Sequence, residues 1–166
     1  MFPNMRRFKQ ELSQEDTIRI LQENSYGVLA LEGDDGYPYA VPLGYHYADG
    51  HIYFHGAKQG HKMTAIGTGC KASFCVVAQD KVVPSEFTTY FISAIAFGKV
   101  SIVEDESKKR AILEMIAEKY APGDVAGREH EISKAWKAVC VFQLELEHMT
   151  GKAAMQVIRE KKNQEK

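Results

Sequence analysis

Apolar and polar residues alternate in short runs that turn residues interrupt, a pattern that predicts β-strands. The first run covers residues 26–31 and the second residues 37–47. Asp49 and Gly50 then predict a tight hairpin into a third strand at 51–55. The later predicted strands are 72–77, 90–103, in which Gly98 indicates a bend, and 138–146.

Two segments predict substantial helices. Ser13 can cap a first short helix, because acidic residues follow it and apolar residues share one face. A second helix begins near Glu104 and places its apolar residues three and four positions apart. Residues 123–133 are polar and irregular and predict a mobile loop, while 155–166 predict a flexible charged tail. Several strands and only two substantial helices predict a mostly β, α+β fold: a small β-barrel with peripheral helices.

Composition fits one globular domain that spans residues 1–166. Hydrophobic residues make up 45% of the chain and charged residues 26%, which is ordinary for such a domain. The net charge of −1 provides no basic field for nucleic acid or a membrane surface. No apolar run approaches the ~18 residues of a membrane span, and the first residues do not read as a signal peptide. Three cysteines without metal-site spacing indicate reduced thiols in a cytoplasmic protein.

Candidate chemistry begins where the third strand ends. A short glycine-bracketed loop carries Lys58, His61 and Lys62, and a helix-like segment, Lys62–Ile66, follows it. Glycines let a ligand approach the backbone, and the lysines supply charge for a phosphate monoester. The alternative is a set of exposed polar residues at a helix start. Motifs for nucleoside triphosphates and dinucleotides are absent from the sequence, so a smaller cofactor with one phosphate suits this loop better.

Two histidines on the third strand invite a comparison with metal sites. His51 and His55 are four residues apart, so they share a face but lie about 13 Å from each other. They cannot bind one metal together, because zinc–nitrogen bonds are only about 2 Å long. His55 directly precedes the lysine loop, where it could hydrogen-bond a ligand or exchange a proton near neutral pH. A structural histidine bonded to backbone is the alternative.

Two further positions could contact a flat ring. Gly44 has no side chain, so a ring could rest against the strand there; relief of crowding in a barrel is the alternative. Trp136 is the single tryptophan and could stack on a ring or fill the core. The sequence lacks the G-x-S-x-G motif of serine hydrolases, and no cysteine has an obvious base partner nearby.

Several stretches together resemble the pyridoxamine-phosphate-oxidase-like flavoproteins, and most closely the nitroimidazole-resistance (Nim) branch. The resemblance covers roughly residues 5–154. The stretches that carry it are Gly36–Leu43, Phe54–Lys62, Phe91–Val100, Val103–Asp105 and Met149–Lys152.

This resemblance implies a split β-barrel homodimer that binds FMN at each of two sites in the subunit interface. It implies that Lys58, His61 and Lys62 bind the phosphate, and that His55 is the residue associated with chemistry. The residues it places around the isoalloxazine ring are Pro42, Leu43, Gly44, Tyr45, Phe54, His55, Gly56, Ser93 and, from the partner subunit, Trp136. Ile92 departs from the pattern, because Nim-like sequences often have arginine before the serine.

Two classes of function follow from the resemblance. The first is an FMN-dependent oxidoreductase that reduces a small nitroaromatic or quinone-like acceptor, with electrons from NAD(P)H or another donor. The second is a non-catalytic carrier of flavin or heme. Pyridoxamine-phosphate oxidation is a weaker third, since it requires a second basic pocket that the sequence does not show. The same scaffold serves all three.

Overall fold

A seven-stranded antiparallel sheet dominates the fold. The computed structural model describes residues 2–164, and its strand order is β2-β1-β5-β6-β7-β4-β3. The strands are β1 Tyr26–Glu32, β2 Pro38–Gly44, β3 His46–Ala48, β4 His51–Ala57, β5 Cys70–Val83, β6 Thr88–Ile102 and β7 Val139–Ala153. The prediction of a mostly β fold with peripheral helices is confirmed.

The two ends of the sheet meet at Tyr45. β2 and β3 lie at opposite ends of the strand order, although only Tyr45 separates them in the chain. Its side chain is fully buried, and its backbone N–H donates to the Ser25 carbonyl at 3.2 Å and to the Tyr120 hydroxyl at 3.0 Å. The prediction of one strand over 37–47 is therefore wrong, because the chain leaves one sheet edge at Tyr45 and joins the other.

Turn chemistry fixes the hairpin and the bend that the sequence predicts. Asp49 and Gly50 both have positive φ angles, 48° and 74°, as a tight two-residue hairpin turn requires. In β6 the pairing register shifts between Phe97 and Gly98. A Cβ at Gly98 would collide with the Glu145 carbonyl oxygen, so only glycine fits this irregularity. Both predictions are confirmed.

Two hydrophobic clusters lie on opposite sides of β4 and β7. Inside the barrel, the Phe54 ring packs against Phe74 and Phe142 with centroids 5.2 and 5.0 Å away. The outer side of the same strands carries Tyr53 and Val141, which pack under helices. Alternation along each strand therefore sends neighbouring residues into different environments.

Within residues 2–164, five helices surround the sheet: α1 Gln14–Glu23, α2 His61–Ile66, α3 Glu106–Tyr120, α4 Val125–Ala135 and α5 Met155–Gln164. Ser13 caps α1 as predicted, since its hydroxyl accepts from the Asp16 N–H at 3.1 Å. Asp105 caps α3 by accepting from the Lys108 N–H at 2.6 Å. None of the described helices is long and apolar enough to cross a membrane.

The segment predicted as a mobile loop, 123–133, instead forms most of α4. Asp124 begins the helix by accepting a hydrogen bond from the Gly127 N–H at 2.9 Å. Ile132 is its one buried residue among those described, and it packs in the outer cluster. The prediction was wrong because a single apolar anchor does not produce a visible apolar stripe.

The charged segment after residue 154 also differs from the expected tail. It forms α5, in which the Lys161 ammonium lies 2.5 Å from the Asp16 carboxylate of α1. Residues 165–166 of the predicted tail lie outside the described residues.

Candidate functional site

Two lysines at the end of β4 have no carboxylate partner within residues 2–164. Lys58 comes directly after the strand and is exposed, while Lys62 is half-buried in α2. Neither forms a salt bridge with a carboxylate in the described part of the chain. Positive charge left unpaired in this way attracts an anion.

Lys62 folds back over the end of the strand. Gly56 makes room for it, because a Cβ at this position would lie 2.7 Å from Lys62 Nζ. The same atom lies 5.2 Å from the centre of the Phe142 ring. Burial lowers the pKa of Lys62, and an anion beside the ammonium would offset that effect.

The charges of several lysines act on one buried thiol beside the end of β4. Cys140 lies opposite Gly56 on β7. Burial raises the pKa of the Cys140 thiol, while the charges of Lys109, Lys58 and Lys62 act to lower it. Lys109 is held by the Trp136 carbonyl, so Lys58 and Lys62 are the two cations near Cys140 that a phosphate could approach.

His61, the third predicted phosphate ligand, has other partners in the structure. Its Nε2 lies 3.2 Å from Asp34 Oδ2, and its ring stacks on Tyr39 with centroids 4.1 Å apart. A phosphate at the lysines would therefore compete with Asp34 for this imidazole.

His55 points to the opposite side of β4 from Phe54, into a cavity under α3 and α4. Solvent reaches part of the His55 ring, because the cavity is open on one side. Burial in the cavity lowers the pKa of the imidazole, and the positive charge of Lys62 lowers it further. No hydrogen bond to the ring is present in the described part of the chain. The imidazole is thus neutral near pH 7 and available to a ligand.

The cavity at His55 has a volume of about 320 Å³. Its walls come from β4, the start of β7 and both helices, and most of the groups that line it are apolar. They are His55, Leu113, Ile116, Ala117, Tyr120, Glu131, Ile132, Ala135 and Val139.

Three residues predicted to lie along the ring face the barrel interior instead of a ligand site. Phe54 and Tyr45 are fully buried, and Leu43 packs against the same core. The Tyr45 hydroxyl lacks a hydrogen-bond partner among the described residues, and burial raises its pKa. A ligand outside the barrel can reach only the backbone of Tyr45 and Phe54, while the Leu43 side chain is partly buried.

Gly44 must be a glycine because the Tyr120 hydroxyl of α3 packs against it, a contact that the sequence did not reveal. A Cβ at Gly44 would lie 2.8 Å from the Tyr120 hydroxyl. That hydroxyl donates to the Ser25 carbonyl at 2.6 Å and accepts from the Tyr45 N–H. The Tyr120 hydroxyl thus connects helix α3 to the strand break at Tyr45, and Gly44 leaves the space that this contact needs.

Pro42 and Ser93 lie on the outer face of the sheet, the side opposite the barrel core. One row of paired positions on this face crosses five strands: Pro42, Val28, Cys75, Ile95 and Thr150. The adjacent row contains Ser93 opposite Val77. Val77 is 61% exposed and Ile95 39% exposed, so this outer face is apolar and accessible.

Ile92 points away from that face. It lines a cavity of about 430 Å³ between α1 and α5, together with Asp16 and Lys161. Isoleucine in place of the arginine that Nim-like sequences often have at this position therefore affects the packing under α5. It does not change the surface around Ser93.

Trp136 ends α4 and packs in the outer cluster of its own chain. The buried Lys109 ammonium lies 4.3 Å from the centre of the indole ring and donates to the Trp136 carbonyl at 2.9 Å. Sequence reasoning missed Lys109, Tyr120 and Cys140. Only Lys109 gave a signal, as a charged residue one helical turn before the first large apolar position of α3, Ile112.

The antiparallel seven-stranded sheet, whose two end strands β2 and β3 meet at Tyr45, defines a mostly β, barrel-like class of fold. The family model described as pyridoxamine 5'-phosphate oxidase matches residues 13–153, and the chain belongs to this family. The predicted split β-barrel is thereby confirmed. No curated protein matches the chain in sequence.

Solved structures support the same fold. A putative 5-nitroimidazole antibiotic resistance protein from Bacteroides thetaiotaomicron is 22% identical, with 86% of this chain and 85% of that chain covered and a TM-score of 0.73. A conserved hypothetical protein, Rv2991 from Mycobacterium tuberculosis, is 15% identical over 90% of each chain, with a TM-score of 0.77. A FAD and heme binding protein from Mycobacterium smegmatis is 24% identical, covering 88% and 73%, with a TM-score of 0.73.

Proposed function

We propose that this chain is a flavoprotein whose lysines Lys58 and Lys62 bind the phosphate of FMN. The observation that carries the proposal is the pair of ammonium groups where β4 ends, which lack a carboxylate partner in the described residues, in a chain of this family. Gly56 keeps the backbone open beside Lys62. His61 joins the phosphate when it leaves Asp34.

The flavin ring lies against the outer face of the sheet, and a second copy of the chain covers it. Two observations support this arrangement: the apolar outer face is exposed, and it carries Pro42 and Ser93, two residues that the family resemblance places at the ring. Val77 and Ile95 would be buried between the two copies. The partner's Trp136 is the remaining predicted contact.

The proposed activity is the reduction of a small nitroaromatic or quinone-like acceptor, with NAD(P)H as electron donor. Bound FMN would supply the redox chemistry, since the protein side chains cannot. His55 orients the acceptor or donates a proton to it, because its neutral ring has no partner among residues 2–164. Three free cysteines support a cytoplasmic location.

A non-catalytic carrier is the second candidate. The relative from Mycobacterium smegmatis is described as binding FAD and heme, which favours a binding role with a different or an additional cofactor. Oxidised flavin absorbs near 375 and 450 nm, and heme gives a Soret band, so the visible spectrum of freshly purified protein separates these cofactors. A colourless protein that ignores added FMN would contradict both candidates.

The role of His55 separates the enzyme from the carrier. We expect His55→Ala to retain flavin but to slow reoxidation of the NADH-reduced protein by an acceptor such as menadione. His51→Ala is the matched control, because His51 shares the strand and the face but its Nδ1 lies 2.9 Å from the Asp49 carbonyl oxygen. Anaerobic stopped-flow mixing measures both steps. Equal rates in both variants would remove His55 from the mechanism.

A further inference from the structure

The geometry points to a substrate site in the cavity between β4, α3 and α4 that accepts a neutral, planar, largely apolar molecule and rejects anions. That this molecule is a substrate rests on the proposed function; that it binds in the cavity does not.

The walls of the cavity set its preference for apolar ligands. Six of the groups that line it are hydrocarbon side chains, namely Leu113, Ile116, Ala117, Ile132, Ala135 and Val139. A volume of about 320 Å³ is at the lower end of ligand pockets. A one- or two-ring molecule therefore fits, and burying it there is favourable.

The charges around the cavity set its selection against anions. No lysine or arginine is among the described residues that line it, and Glu131 contributes a carboxylate at its rim. Lys134 lies 3.5 Å from Glu131 on the exposed surface of α4 and is outside the lining. A carboxylate or phosphate on the ligand would lose water among apolar walls, and the charge of Lys62, which acts on His55 from outside the lining, would offset only part of that cost.

Apart from the Glu131 carboxylate at the rim, polar recognition in the cavity falls to His55. The Tyr120 proton is used on the Ser25 carbonyl, and its oxygen accepts from the Tyr45 N–H. His55 has no such partner in the described residues and faces the cavity. A ligand with a single polar substituent directed at His55 satisfies this arrangement.

The position of the cavity links it to the lysine cluster. His55 precedes Lys58 by three residues on an extended segment, a separation of about 10 Å. A ligand held at His55 therefore lies beside, but not on, the phosphate position.

The small size of two alanines on different helices keeps the cavity open. Ala117 of α3 and Ala135 of α4 line the cavity, and a larger side chain at either position would occupy it. These two alanines are therefore the residues that determine specificity.

The test uses the purified full-length protein, with its flavin content recorded in every sample. The probes are 2-naphthamide, which is neutral, and 2-naphthoate, which has nearly the same shape but is anionic. Ligand-detected NMR measures their Kd for the parent and for three variants: Ala135→Phe, Ala117→Leu and, as a matched control, Ala126→Phe. Ala126 is exposed on α4 and does not line the cavity.

We expect 2-naphthamide to bind the parent roughly tenfold more tightly than 2-naphthoate. Ala135→Phe and Ala117→Leu should each weaken 2-naphthamide roughly tenfold by filling the cavity, while Ala126→Phe has no effect. Glu131→Gln should reduce the ratio of the 2-naphthoate Kd to the 2-naphthamide Kd, because it removes the negative charge at the rim. Equal binding of amide and carboxylate, or unchanged amide binding in both filled variants, would overturn the inference.

The two proposals can fail separately. If the parent binds no flavin but shows the predicted pattern with the two probes, the site stands and the flavoprotein proposal falls. If the parent binds flavin but the Kd of 2-naphthamide is the same for the parent, Ala135→Phe and Ala117→Leu, the proposed site is wrong and the flavoprotein proposal stands.

Discussion

His55 is the residue whose chemistry depends most on its surroundings. Burial and, second, the positive charge of Lys62 lower its pKa, so the ordinary value of about 6.5 is an upper limit for it. We expect an NMR titration of the His55 ring protons to have its midpoint below 6.5. Lys62→Met should raise that midpoint by removing one like charge, but not above 6.5, because burial remains. A parent midpoint at or above 6.5 would contradict the described environment.

The same shift has a consequence for stability. The unfolded chain takes up a proton at His55 before the folded protein does, so the free energy of unfolding falls as pH drops below about 6.5. The loss ends below the folded-state pKa. His55→Gln should flatten this part of the stability curve, measured by urea unfolding between pH 5 and 7. His46 acts in the same direction, because burial and Lys119 lower its pKa as well.

At the scale of elements, the irregularity in β6 gives a steric prediction. Gly98→Ala would put a methyl group against the Glu145 carbonyl, so we expect it to lower the free energy of unfolding by about 3 kcal/mol. Gly36→Ala is the control: Gly36 has a φ of 78°, and a Cβ added there would have no atom within 4 Å, so it should cost only ~1–2 kcal/mol of backbone strain. Urea unfolding measures the free energy of unfolding of both variants. A larger loss in Gly36→Ala than in Gly98→Ala would contradict the register shift.

Local signals explain which elements the sequence could predict. Ser13 and Asp49 act through their nearest backbone neighbours, so the cap and the hairpin were visible in the sequence. The bend was visible because Gly98 interrupts an apolar strand, although its cause, the Glu145 carbonyl, lies on another strand. The break at Tyr45 was not, because the pattern of alternation continues through it and closure of a barrel depends on distant strands. Helix α4 was missed because Ile132 is its single buried anchor among the described residues.

The same distinction applies to the candidate site. Glycines and lysines adjacent in sequence revealed the cluster at Lys58 and Lys62. The cavity at His55 required α3 and α4 to pack on β4, which no local pattern shows. Gly44 and Phe54 were predicted to lie along a flat ring, but their actual surroundings, the Tyr120 hydroxyl and the barrel core, appear only in three dimensions.

At the scale of the whole molecule, the outer face predicts a dimer. Ile95 is an exposed residue of the apolar row on this face, so Ile95→Arg would place a charge between two copies and should give a monomer near 18.7 kDa. Val125→Arg is the control, since Val125 is an exposed valine on α4, 55% accessible, away from this face. Light scattering after gel filtration measures both masses. A parent that is already monomeric, or an Ile95→Arg variant that stays dimeric, would contradict the arrangement.

The measurement that tests the central claim most directly is a comparison of FMN with riboflavin, which lacks the phosphate. Flavin fluorescence quenching gives the Kd of each for the parent, for Lys58→Ala/Lys62→Ala and for the control Lys9→Ala/Lys108→Ala. Charge-assisted hydrogen bonds are worth ~1.5–3 kcal/mol each, so the parent and the control should prefer FMN by roughly 100-fold or more. The Lys58/Lys62 variant should bind both flavins nearly equally. A parent without preference for FMN, or a double variant that keeps it, would show that these lysines do not hold the phosphate.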